Sequence, residues 1–141
     1  MTEFNIDLSD IVDAISDELD ELEEVVGTIT GRIGLEVIRQ AAIGNPVDTG
    51  RSRAGWLMSR GARTGYAPPP GVYDQIEGEV GAEAIVGRAV SVAGQRLGFD
   101  LVIVENNVEY VADLNDTHPV AAGFVDIAVA NASDIQLGDI S

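Results

Sequence analysis

The sequence contains no cysteine and no lysine, a single histidine (His118) and a single tryptophan (Trp56), with three tyrosines and three phenylalanines besides. Each scarcity removes a class of chemistry. Without cysteine there is no disulfide framework, no thiolate metal site and no Cys–His nucleophile pair. Without lysine no Gly-rich phosphate loop of the Lys-completed type is possible. With His118 alone, histidine catalysis has one available base. No apolar run approaches the roughly 18 residues of a membrane span, so no membrane partner is expected. Met1-Thr2-Glu3-Phe4 lacks the positive-then-apolar pattern of a secretion signal, so a soluble product made in the cytosol is expected.

What is abundant is acid. Asp and Glu number 24 against eight arginines, for a formal net charge of −16 over 141 residues. Such a chain repels phosphate, which argues against general nucleic-acid binding. Two explanations fit the excess. An acidic surface could line a space through which DNA slides without sticking. Alternatively, many carboxylates, no lysine and small apolar residues suit life in high salt, where self-repulsion is screened. The length suits one domain spanning 1–141: an acidic helical segment over 1–44, an α+β core over 45–132 and a tail over 133–141.

Residues 7–43 read as one long helix. Leu8, Val12, Ile15, Leu19, Leu22, Val26, Ile29 and Ile33 alternate spacings of four and three, the seam of a heptad repeat. Asp7 or Ser9 is placed to cap its start. Its other faces carry Asp10, Asp13, Asp17, Glu18, Asp20, Glu21, Glu23 and Glu24, with no basic residue before Arg32. Like charges three and four apart cost a few tenths of a kcal/mol each. Gly27, Gly31 and Gly34 weaken the second half by roughly 1 kcal/mol apiece relative to Ala, and permit a bend or the close approach of another backbone. The stripe either packs on the chain's own sheet or is shared with a neighbouring subunit.

The centre of the chain is Asn45-Pro46-Val47-Asp48-Thr49-Gly50. A residue before proline is pushed out of the α region, so the helix stops at Gly44-Asn45. Pro46, Asp48 and Gly50 then make a structural turn, Asp48 bonding nearby amides and Gly50 taking positive φ. From Arg51 to Met58 an imperfect alternation suggests a strand. Gly61 to Gly71, with Pro68-Pro69-Pro70 flanked by Tyr66 and Tyr73, is loop and a stiff arm. A second helix is expected over about 79–93, a strand over 99–105, a turn at Asn106-Asn107 and a short helical turn over 110–114. A loop over 115–119 and a third helix over 120–132, with Phe124, Ile127 and Ala128 inward, complete the chain. Trp56, Tyr110 and Phe124 are the expected core anchors. The fold class is α+β: a long N-terminal helix, a small, mainly antiparallel sheet and two further helices.

Three constellations carry candidate chemistry. Asp48-Thr49-Gly50 is the tripeptide of aspartic proteases, and Ile85-Val86-Gly87-Arg88 resembles an element of their retroviral branch, in which two subunits each supply one aspartate. Here the tripeptide follows a helix stop rather than an apolar strand, so a protease dimer using Asp48 is a remote reading. Asp113, Asp116 and His118 offer oxygen and nitrogen donors to a divalent ion, but they lie in a loop-forming stretch where such residues are common anyway; no metal or other cofactor is expected. Arg51, Arg53, Arg60 and Arg63 put half of the basic residues within thirteen positions. Nucleic-acid contact, local pairing and pairing with a neighbouring subunit's acidic helix all fit them. The last is favoured, with Asp17, Asp20, Glu21 and Glu24 as partners, because the guanidinium fork binds carboxylates bidentately.

Pro46-Val47-Asp48-Thr49-Gly50-Arg51-Ser52-Arg53-Ala54-Gly55-Trp56 resembles the "PVDTGRxRxxW" signature of the minor tail and tail-completion (neck) proteins of tailed phages. Val104-Glu105-Asn106-Asn107-Val108-Glu109-Tyr110 is similar to that family's strand ending "xxNNxxY". Leu114-Asn115-Asp116 stands at its "LExG" position, and Pro119-Val120-Ala121-Ala122-Gly123-Phe124-Val125 resembles its "APxGfV". The resemblance runs from about Gly44 to Ala130; the Asp116 to Pro119 loop is shorter than the family's and lacks its glycine, and the N-terminal helix is more acidic. What it implies is a structural virion protein rather than an enzyme: a small α+β subunit of a ring, six-fold by expectation, at the head–tail junction. Such a ring joins tail to head and contacts connector or head-closure proteins on one side and tail-tube or terminator proteins on the other. Genomic DNA passes through without specific binding. A tail-terminator or head-closure ring is the alternative of the same kind. The protein would be assembled in the host cytoplasm, in a host living at high salt.

Overall fold

The structure is a computed structural model and describes residues 8–133. Helix α1 runs unbroken from Ser9 to Gly44. Its C-terminal stop is the one proline dictates: Asn45, before Pro46, has extended backbone (φ −66°, ψ 125°) while its N–H still bonds the Ala41 carbonyl. At the other end Leu8 is the N-cap and offers no side-chain cap, so Ser9 is already helical; Asp7 lies outside the described residues.

The expected strand from Arg51 begins five residues late. Arg51–Ala54 is a single helical turn, α2, entered through Gly50 at φ 79° and closed by the Gly55 N–H on the carbonyls of Arg51 and Ser52. A strand would aim Arg51 and Arg53 to the same side; the turn sends them to different acceptors, Arg51 to the Pro68 carbonyl and Glu109 and Arg53 to the carbonyls of Asp74 and Ile76. Strand β1 is Trp56–Arg60, antiparallel to β2, Val102–Asn106, with Trp56 opposite Asn106 and Arg60 opposite Val102. Period-2 alternation puts Trp56 and Met58 into the core and sends Glu105 to the opposite face. Phe99 and Leu101, expected in β2, precede it and are exposed.

Between the strands lie the 61–77 loop and helix α3, Gly78–Ala93, which Gly94 closes as C-cap. After β2, helix α4 runs Val111–Thr117, through most of the expected loop. Pro119 sets this end: it forces His118 into extended backbone (φ −60°, ψ 133°), so the helix persists to Thr117 and no further. The last helix, α5, is Phe124–Ser133 and begins later than expected. His118 Nδ1 accepts the amides of Val120 and Ala121, and Gly123 takes φ 82°, so 120–123 is a turn; Val120 is 91 % exposed. Phe124, Ala128 and Ala132 point inward at i, i+4 spacing, while Ile127, expected inward, is 58 % exposed. The tail over 134–141 lies outside the described residues. The α+β class and the long N-terminal helix are as the sequence implies, with a two-stranded antiparallel sheet. No helix among the described residues is long and apolar enough to cross a membrane.

The core joins α1, α3, α5 and the sheet. Ile38, Ala41 and Ala42 meet Ala82, Ile85 and Ala89 of α3, Trp56 and Met58 of β1, and Phe124 and Ala128 of α5. Trp56 and Phe124 pack edge to face with centroids 6.4 Å apart, a favoured aromatic geometry. The face of α1 that enters this core is Gly27, Gly31, Gly34, Ile38, Ala41 and Ala42. A Cβ at Gly31 would meet the Ala93 carbonyl at 3.1 Å, and one at Gly34 the Met58 sulfur at 2.8 Å. These glycines let other elements approach, and the helix does not bend out of its ladder at them. The heptad stripe is a different face. Leu8, Ile11, Val12, Ile15, Leu19, Leu22 and Val25 are all 51–56 % exposed, so the expectation that this stripe packs on the chain's own sheet fails for its first half.

Candidate assembly surface

Around the central turn, side chains bind backbone. Asn45 is buried; its Nδ2 donates to Ser52 Oγ (2.7 Å) and the Pro46 carbonyl (2.8 Å), and its Oδ1 accepts the Trp56 indole N–H (2.9 Å). That one amide locks the helix stop, the α2 turn and the core tryptophan together. Gly50 is required twice over: its φ is left-handed, and a Cβ there would collide with the Asp74 carbonyl. Asp48, expected to tie the turn, is exposed and its side chain makes no hydrogen bond among the described residues; the Thr49 hydroxyl instead accepts the Arg51 amide, at 3.3 Å. The Asp48 carbonyl accepts from Gln75.

The four clustered arginines all find partners inside the subunit. Arg51 is 8 % exposed, donates to the Pro68 carbonyl (2.9 Å) and Glu109 (2.8 Å), and lies 5.8 Å over the Tyr110 ring. The hydrogen bond from Arg51 holds the Glu109 carboxyl below its ordinary range and raises the guanidinium in turn. Arg53 is 2 % exposed and donates to the carbonyls of Asp74 and Ile76. These two residues therefore staple the proline arm and the approach to α3 onto the central turn. Arg60 pairs with Asp100 and Gln95, and Arg63 with Glu105 and Asn107; both are on the surface. None of these partners is Asp17, Asp20, Glu21 or Glu24, which are exposed on the free half of α1. Tyr110, expected in the core, is half-buried as the platform under Arg51.

Glu105 is a functional-looking residue that the sequence reading passed over. Its side chain is buried beneath the 61–66 loop, where it accepts from the Thr64 amide (2.7 Å), the Thr64 hydroxyl, Arg63 and Asn107. Burial pushes this carboxyl up, but the donors, the Thr64 amide first, outweigh it and hold the group down at about 2. The signal is a lone acid directly after the β-branched run Val102-Ile103-Val104. Asn106 is similar: its side chain bonds the Ser52 carbonyl (2.6 Å) and the Val108 amide.

The catalytic and metal candidates are not assembled. Ile85 to Arg88 is helical within α3, and Asp48 stands in the loop after α1. His118 spends its Nδ1 on two backbone amides, and no three His, Asp or Glu among the described residues are grouped to hold a metal ion. No buried side-chain polar atom among the described residues lacks a partner. Compared with known protein families, curated proteins and solved structures, the chain matches none.

What remains open is the first half of α1. Seven large apolar side chains line one face, and Asp10, Asp13, Asp17, Glu18, Asp20, Glu21 and Glu24 are exposed around it. An apolar strip of this continuity marks an interaction surface.

Proposed function

We propose that the chain is a structural subunit of an oligomeric ring at the head–tail junction of a tailed phage, joining tail to head around a passage for DNA. The observation that carries the oligomeric part is the uncovered apolar face of α1 between Leu8 and Val25. A subunit that leaves seven large apolar side chains half exposed along one helix gains stability only when something covers them. The position in the particle comes from the resemblance of residues 46–56 and 104–125 to the neck family. The residues carrying that resemblance serve one structural unit here: Gly50 opens α2, Arg51 and Arg53 staple the loops, Trp56 fills the core and Asn106 ties β2 to α2. A net charge of −16 also suits a wall past which phosphate slides.

The test is genetic and direct. Disrupting the coding sequence in the genome that carries it should leave filled heads and finished tails that do not join. Purified particles should contain the protein in a fixed copy number at the junction. Normal infectious particles made without it would overturn the reading.

A further inference from the structure

The exposed face of α1 has a register, and the register identifies what covers it. Written as heptads abcdefg, Val12, Leu19, Val26 and Ile33 fall at a, and Leu8, Ile15, Leu22 and Ile29 at d. The spacing holds over four heptads, the repeat of helices that pair with helices. The acids are not spread evenly around it. Asp10, Asp17 and Glu24 fall at f, Asp13 and Asp20 at b, and Glu21 at c, all on the far side from the seam. The flanking positions e and g hold Ser9, Ile11, Ser16 and Val25, with Glu18 and Glu23 the only acids.

That placement discriminates between occupants. A basic partner would be met by acids beside the seam, at e and g, where interhelical ion pairs form. Here most of the acid sits where a packed helix leaves it in solvent, and the rim is short and mostly neutral. An identical helix meets such a rim with like-charge contact confined to Glu18 against the neighbouring copy's Glu23. The subunit's body leaves the seam clear from Leu8 to Val25 as well. Gly27 and Gly34, which pack on the body, are at b, and Gly31 is at f, so α3, the sheet and the 97–98 turn stand behind the helix.

We infer that α1 associates with the α1 helices of neighbouring copies along this seam, parallel and in register. The parallel direction rests on the ring reading: helices that run along the axis of a ring all point the same way. Ile11 and Val25 at g widen the stripe beyond a strict a/d seam, so each helix meets more than one neighbour. Salt strengthens the association, since it screens the acids that the helices bring together.

The absence of cysteine makes the test clean. Full-length Val12→Cys and Asp17→Cys are treated with a short bismaleimide at low and molar KCl, and the mass of the unmodified chain is measured alongside. Val12→Cys should link into dimers for most chains in molar KCl and for fewer at low salt, while Asp17→Cys stays mostly unlinked. Ile15→Ser with Leu22→Ser should return the assembly to monomer without lowering the melting temperature of the body. A monomer at every salt concentration hands the seam to a different protein and overturns the proposal. So does equal linking at positions 12 and 17, or assembly that survives the double serine change. Rings that persist in the double variant remove the seam alone and leave the junction reading standing. Seam-dependent multimers, in a phage that joins heads to tails without this chain, do the reverse.

Discussion

The two halves of α1 are one continuous helix with opposite relations to the molecule. From Ser9 to Val25 it carries large apolar side chains, half exposed, among acids with no basic residue. From Val26 to Gly44 its inward face is glycine and alanine with Ile38, packed on α3, the sheet and α5, and Arg39 pairs on the outside with Glu36 and Glu79. The large apolar stripe of the first half thus stands outside the core, while the stripe that enters the core in the second half is mostly small residues. Size explains the inversion: three elements can close on one helix only where its side chains are small, and the large side chains then stand on another face. A core drawn from hydrophobicity alone would choose the wrong stripe.

The contrast breaks most sharply at Ile38 and Ile15. Ile38 is fully buried where the layers meet, so Ile38→Ala should cost about 2–5 kcal/mol, the range for a large-to-small change with a residual cavity. Ile15→Ala in the monomer should stay within about 0.5 kcal/mol, the range for exposed sites. Urea titrations of both variants in dilute protein measure the difference. Comparable losses would mean that the first half of α1 is covered within the subunit after all.

A second comparison lies within the central turn. Gly50→Val meets a left-handed φ and the Asp74 carbonyl together, so a loss of about 3 kcal/mol or more is expected, whereas Asp48→Asn at the exposed neighbour should stay within about 0.5 kcal/mol. Arg53→Ala strips two loop carbonyls of their buried donor and should cost about 2 kcal/mol. Arg60→Ala, a surface pair with Asp100, should cost under about 1 kcal/mol. If Arg53→Ala folds with unchanged stability, the stapling role is wrong and the guanidinium is available for a neighbour.

These sites also mark what the sequence made legible. The helix stop before Pro46, positive φ at Gly50 and the alternation that turns Trp56 and Met58 to one face follow from local chemistry, and each is present. Arg51 to Ala54 departs from the expected strand because a pattern of small and polar residues is compatible with strand or turn. What decides is the distant carbonyls of Pro68, Asp74 and Ile76, which no local window contains. Helix α4 ran past its expected end because Pro119, not the Asn and Asp residues before it, sets the stop. Ile127 and Tyr110 were placed by hydrophobicity, but Phe124, Ala128 and Ala132 already fill the inward face of α5, and Arg51 takes the Tyr110 ring. The arginine cluster was legible as a site; its partners were not.

Acid should separate the body from the free helix. Glu105 titrates in the folded protein at about 2, below its ordinary 4.5. A depressed carboxyl stabilises the fold above its unfolded value, and that contribution fades as pH falls from about 4.5 towards 2. Glu105→Gln should therefore lose about 1–3 kcal/mol at neutral pH, from weakened bonds to Thr64 and Arg63. The two proteins should converge in strongly acidic solution. A constant gap between their urea midpoints from pH 7 to pH 3 would show that the charge on Glu105 is not what holds the 61–66 loop.

The smallest effect is the one confined to the free half of α1. Like charges at i, i+3 and i, i+4 recur there, as in Asp10 with Asp13, Asp13 with Asp17, Asp17 with Asp20 and Glu21, and Asp20 with Glu24. Each pair costs a few tenths of a kcal/mol at low ionic strength, and nothing on this half repays it within the subunit. Screening lengths shrink from about 30 Å at 0.01 M salt to about 3 Å at 1 M. Amide exchange in residues 9–25 should accordingly slow as KCl rises at protein concentrations too low for association, while residues 35–44, held by the core, change little. Raising the protein concentration at fixed molar KCl should then slow exchange in 9–25 a second time, because coverage of the seam adds to screening of the acids. A salt response without a concentration response would leave the acids explained and the apolar seam still without a partner of its own kind.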